Sequence, residues 1–273
     1  MTWNMPSQTS LCNMFKILRY SFYDLMRSQW SYVYFLFYLI LGFVLLFLNS
    51  DLSKAVITIM NMIVVLTPMI GTIFGIMYSY SSREFTELLL AQPIKRRSIF
   101  LGQYVGVATS LSLSLVIGLL VPFLAYGINR STEIWNFGLL LVSGVFLTFI
   151  FVGLAFNISL LNENRIKGFS YAILLWLFMA VIYDGIFLIS LVMFSDYPLD
   201  KFTLFASLLN PIDLSRILIL LKLDISALLG YTGALFQKFL GTKWGITIAT
   251  LMLFVWTLVP VLTMLRIAKK KDF

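Results

Sequence analysis

The chain has no histidine and one cysteine, Cys12. Without histidine there is no imidazole acid–base catalysis, no histidine metal ligation and no nucleophilic triad of the usual kind. One cysteine excludes an intrachain disulfide and a cysteine metal cluster. No Gly-x-x-x-x-Gly-Lys-Ser/Thr loop is present, so this chain should not hydrolyse ATP itself. Charge is scarce too, at 12% of 273 residues. That is about half the share in a soluble domain. What fills the space is apolar: 60% of residues, with a mean hydropathy of +0.94. A soluble fold cannot bury so much, and the composition is that of a polytopic membrane protein. The net charge of +8 would suit a nucleic-acid binder, but its distribution argues for membrane topology instead.

Charge-free runs cover 28–50, 55–82, 98–129, 134–162 and 244–265. A sixth, 168–195, is interrupted only by Asp184. Each exceeds the ~20 residues a helix needs to cross the hydrocarbon layer. Backbone groups in lipid must pair internally, so the expectation is six transmembrane helices in one domain over 1–273. With the N-terminus inside, thirteen Lys and Arg fall on the inner side and seven outside. Five of the seven lie in one long loop, where the positive-inside rule is weak. Both termini are expected in the cytoplasm. The first ten residues are uncharged, so no cleavable signal peptide is expected.

Residues 11–29 place Phe15, Leu18, Phe22, Leu25 and Met26 at helical spacing among Lys16, Arg19, Asp24 and Arg27. This predicts an amphipathic helix on the inner surface. Residues 196–243 form the long exterior connection, with one or two short helices expected at the outer surface. Asn210-Pro211 suits a helix start. Asp213 and Arg216 are spaced to pair with each other, or to reach a partner.

The stretch from Ser82 to Arg97, SREFTELLLAQPIKRR, is too short to cross a bilayer. Ser81 and Glu84 fit a capping box, and Phe85, Leu88 and Leu89 share a face. Gln92-Pro93 ends the helix and Lys95, Arg96 and Arg97 follow. The prediction is an inner-face helix of roughly three turns within 81–97, tied to a span at each end. It either packs on lipid or is a lever pressed by a soluble protein.

This stretch resembles the linker between the second and third spans of ABC-2 type permeases. Glu87, Leu88, Leu89, Pro93, Arg96 and Gly102 match that pattern. Glu84-Phe85 stands where Gly-Thr is usual, and Gln103 where Lys is usual. The resemblance implies that the helix couples to a cytoplasmic ABC ATPase dimer. Glu84 and Glu87 would be polar contacts, Phe85 an anchor, Leu88 part of the contact face and Arg96 a post for the helix end. A narrower resemblance rests on Asn210, Pro211, Asp213 and Arg216, on the lone Asp184 and on the NENRIKG loop. These are similar to the NosY family, permeases of the nitrous oxide reductase maturation system. That resemblance implies a bacterial inner-membrane homodimer with a NosD-like periplasmic partner, serving delivery of copper or sulfur. It also implies that Asn210, Pro211, Asp213 and Arg216 dock this partner, or form a lid sealing the dimer. An ABC-2 exporter of a small molecule or lipid and a stand-alone carrier are the competing readings.

Asp184 lies mid-span, where a charge costs ~2.5–3.5 kcal/mol on insertion scales, so it should face protein or water. It is either a conformational latch or a structural hydrogen-bonding group. Gly71-x-x-x-Gly75 and Gly102-x-x-x-Gly106 permit close helix approach, within a monomer or at a dimer seam. Met60, Met62, Met69 and Met77 fall together on the second span, a pattern that packing explains more simply than metal binding. No metal or other cofactor is expected in this chain.

Overall fold

A computed structural model describes residues 10–49, 52–131, 133–194, 200–222 and 230–270. Among these, all regular structure is helical. Six helices are long and apolar enough to cross a membrane. They alternate in direction. One end of the bundle carries the 81–97 and 162–165 turns and the last lysines; it is called the basic end here, and its opposite the far end.

Helix α1 (Ser10–Arg27) is separated by Ser28 from α2 (Gln29–Leu48), the first span. Helix α3 (Leu52–Ser81) returns to the basic end and α4 (Arg83–Leu90) follows almost at once. Helices α5 (Arg96–Ala125) and α6 (Ile134–Leu161) are the next spans. The fifth span comes in three parts: α7 (Arg165–Leu177), a π-helical turn (Phe178–Ile182) and α8 (Tyr183–Met193). Two short helices, α9 (Asp200–Leu209) and α10 (Pro211–Lys222), precede α11 (Gly230–Lys270), which contains the sixth span.

Helix association in lipid rests on close packing rather than on the hydrophobic effect, so small residues mark the seams. Both glycine pairs pack within the monomer. A Cβ on Gly75 would lie 2.9 Å from the Ala155 Cβ of α6. A Cβ on Gly102 or Gly106 would meet the α1 carbonyls of Met14 at 2.9 Å and Leu18 at 2.8 Å. The second seam corrects the reading of α1. Its buried stripe is Ile17, Ser21 and Leu25, whereas Phe15 is 67% exposed. Ser21 ranks as polar on a hydropathy scale, yet its small size lets it sit against Gly106. So α1 packs lengthwise on α5 rather than only on lipid.

Side chains of neighbouring helices also bond backbone carbonyls close to the helix prolines. Pro68 lies inside α3, where a missing N–H leaves the preceding turn short of a donor. Trp176 Nε1 of α7 donates to the Val65 carbonyl at 3.2 Å. Asn157 Nδ2 of α6 donates to the carbonyl of Pro260 in α11 at 2.8 Å.

Helix α10 is not a surface helix, and α9 buries one face while Phe202, Phe205 and Leu209 stay exposed. Ile212, Leu214, Ile217, Leu218 and Ile219 are buried, as are Thr203, Ala206 and Ser207. The pair forms a hairpin whose tip, Asn210-Pro211, reaches the π-helical turn: Asn210 Nδ2 donates to the Met179 carbonyl at 2.9 Å. Met179 lies ~21 Å along the helix from Arg165, roughly half the span's ~43 Å. The hairpin is therefore re-entrant. Residues 230–244 form a helical extension of α11 ahead of the sixth span.

Candidate functional sites: a basic-end platform and a buried ion cluster

The platform is α4. It is two turns long rather than three, and the capping box does not form. Ser81 remains in α3 and its hydroxyl donates to the Tyr78 carbonyl at 3.1 Å. Ser82 occupies the N-cap position without a side-chain cap hydrogen bond. The chain runs from α3 into α4 with almost no linker, so no extended residue is available to place a capping oxygen. Arg96 falls outside this helix and opens α5.

Two side chains fasten α4 to the bundle. Thr86 is buried; its hydroxyl accepts from Gln103 Nε2 of α5 at 2.8 Å and donates to the Ser82 carbonyl at 2.8 Å. Phe85 stacks on Tyr20 of α1 with ring centroids 4.6 Å apart. Both departures from the permease pattern thus have physical reasons. Gln103 is 2% exposed, where a lysine would bury a charge. Phe85 supplies an aromatic contact worth about 0.5–1.5 kcal/mol. Its expected role as an anchor for another protein is therefore shared with a contact inside the chain. Glu84 is exposed and Leu88 is 68% exposed. Glu87 accepts from Arg83 Nε at 3.0 Å, an open i,i+4 pair worth about 0.3–0.5 kcal/mol.

The turn between α6 and α7 is clamped to the same junction. Tyr80 Oη donates to the Asn162 carbonyl at 2.7 Å. Asn164 caps α7, its Oδ1 accepting from Ile166 N at 2.9 Å. Gly168 lies where any Cβ would strike the Tyr80 hydroxyl. A cleft of about 50 Å³ separates α4 from this turn, with Arg83, Thr86, Glu87, Gln103 and Glu163 in its lining. Tyr80 and Tyr20 were not singled out from the sequence; Gln103 was noted only as a departure from the permease pattern and Asn164 only within the NENRIKG loop. Only Asn164 carried a signal, as a helix-capping residue type before a helical run.

The second site joins residues that the sequence reading kept apart. Arg216 Nη1 of α10 lies 3.1 Å from Asp184 Oδ2 of α8 and 3.5 Å from Asp213 Oδ1 on its own helix. The pairing of Asp213 with Arg216 thus forms, with Asp184 as a third member. Asp184 Oδ1 is buried without a hydrogen-bond partner. Asn210 organises the tip: its Oδ1 accepts from Ile212 N at 3.1 Å, and its Nδ2 reaches Asp213 Oδ2 at 3.2 Å besides the Met179 carbonyl. The last carbonyls of α9 receive Tyr183 Oη at Ala206, 2.6 Å, and Trp256 Nε1 at Leu208, 3.1 Å. The peptide groups of this hairpin tip are paired in the way hydrocarbon demands. Asp213 and Arg216 face α8, not the far surface.

No family model matches the chain. Two curated relatives do. The "Probable ABC transporter permease protein NosY" of Stutzerimonas stutzeri is 27% identical over 136 residues, 48% of this chain and 49% of that protein. Its namesake in Pseudomonas aeruginosa is 28% identical over 145 residues, 51% of this chain and 53% of that protein. The chain is similar to ABC transporter permeases. It spans about half the length of the curated relatives it matches. The six apolar helices are those of a multi-pass membrane protein.

Proposed function

We propose that the chain is the membrane subunit of an ABC transporter of the NosY kind. It receives force from a cytoplasmic ATPase dimer at α4 and carries it across the membrane for assembly of the copper sites of nitrous oxide reductase. The observation that carries the reading is α4 itself. A two-turn helix joins two spans with minimal linkers, is pinned to α1 and α5, and leaves Glu84 and Leu88 outward. A push on such a helix moves α3, α5 and α1 together. The turn at Asn162–Asn164 is tied to the same place through Tyr80. In this proposal the basic end faces the cytoplasm of a bacterial inner membrane. Two copies pair, and a NosD-like periplasmic protein docks on the far end through surface other than Asp213 and Arg216.

The test is co-purification of the neighbouring ATPase with Glu84→Lys/Leu88→Ala. The expected result is loss of the ATPase while membrane insertion is retained; undiminished recovery of an active ATPase would sink the coupling role. Copper analysis of nitrous oxide reductase from a deletion strain tests the cargo. A fully loaded reductase would turn the reading toward an exporter of a small molecule or lipid.

A further inference from the structure

The ion cluster borders a cavity of about 110 Å³ between α8 and the re-entrant hairpin, with Asp184, Asp213, Arg216, Ser207, Phe187 and Leu188 among its lining residues. Three observations bear on what fills it. Asp184 Oδ1 is buried and has no partner. The two ion-pair contacts of Arg216 both fall on Nη1, although a guanidinium has five N–H donors. The side chains of Asp184 and Arg216 keep 25% and 30% exposure at a depth where, in a membrane, the neighbours are lipid or protein. Hydrocarbon cannot complete such a group, whereas a polar cavity of this size holds several waters with partners to spare.

We propose that this cavity is a hydrated latch. Water enters from the far end, completes Asp184 and Arg216, and so allows their ion pair to open and close as the hairpin parts from the fifth span. Hydration is what makes the latch reversible, since separating opposite charges in a dry interior costs far more than in water. Arg216 also keeps Asp213 as a partner on its own helix when Asp184 leaves. Only the statement that the far end is the outer side rests on the proposed orientation.

The single cysteine makes the test clean. Ser207→Cys, in a Cys12→Ser background, places a thiol at the cavity wall with little change in size. Ile189→Cys, on the exposed apolar face of α8, is the lipid-facing control. Membrane vesicles of both orientations are treated with small cationic and anionic methanethiosulfonates. Thiolates do not form in hydrocarbon, so Ile189→Cys should stay inert while Ser207→Cys reacts from the outer side. Adding Asp184→Asn should release the hairpin and raise the rate several-fold. A Ser207→Cys thiol as inert as Ile189→Cys, with and without Asp184→Asn, would overturn the proposal. Equal rates with and without Asp184→Asn would leave a wet cavity and remove the latch. Reaction only from the cytoplasmic side would support hydration and overturn the orientation instead.

Discussion

Arg216 is the residue on which the far half depends. It faces two carboxylates, so its removal and the removal of Asp184 are not equivalent. Arg216→Met leaves Asp184 and Asp213 without a cation. Asp184→Leu leaves Arg216 its second partner at 3.5 Å. Stripping one partner from a fully buried pair costs about 3–5 kcal/mol; at this partly exposed cavity both changes should cost less, the arginine change more than the aspartate one. Thermal unfolding in detergent should therefore rank Arg216→Met below Asp184→Leu, and the reverse ranking would show that Asp213 does not share the guanidinium. Exchanging Asp213 and Arg216 should also fail, since an aspartate at 216 would face Asp184. From the sequence, Asp184 was legible as a costly charge needing a partner, and Asp213 with Arg216 as an i,i+3 pair. Their union was not, because 32 positions separate Arg216 from Asp184 and the hairpin's inward course leaves no periodic trace.

At the scale of the element, α4 shows what local pattern can and cannot place. Its existence and its stop before Gln92-Pro93 follow from the local pattern; that Phe85 turns inward onto Tyr20 while Leu88 stays exposed does not, since the spacing puts both on one face. Its start was misplaced because Ser81 and Ser82 both suit a cap, and only the course of α3 chooses between them. The contacts that hold it come from residues distant in sequence. A double-mutant cycle on Tyr20→Ala and Phe85→Ala should give a coupling of about 0.5–1.5 kcal/mol in thermal unfolding. A coupling near zero would mean that the stack does not tie α1 to α4. Gln103→Leu removes the donor to Thr86 and should cost about 1 kcal/mol, with faster proteolysis near Gln92–Lys95 as its local signature. Gly168→Ala collides with the Tyr80 hydroxyl and should release the Asn162 turn, lowering ATPase coupling while α4 itself stays in place.

For the whole molecule, six spans and their order were readable from charge-free runs because lipid imposes length and apolarity on every crossing. The bundle's interior was less readable, since its seams depend on small residues such as Gly75, Gly106 and Ser21 rather than on hydropathy. Orientation remains a matter of charge bias, and reporters decide it. Alkaline phosphatase fused after Phe273 should be inactive, and inserted between residues 50 and 51 it should be active; the opposite pattern would invert the molecule. Length also has a mechanical consequence. Helix α11 runs unbroken for 41 residues, of which the sixth span takes the last 26. Pro260, seated against Gly153, is the position where a bend of this helix would fall. From there to Gly230 is a rod of ~45 Å, so a tilt of about 10° at the proline sweeps the tip through ~8 Å. Under the proposed function, small strokes delivered at the basic end would thus be geared up along residues 230–244, beyond the sixth span. Paired spin labels at Gly230 and on α6 would read the gain directly as a distance that changes with nucleotide.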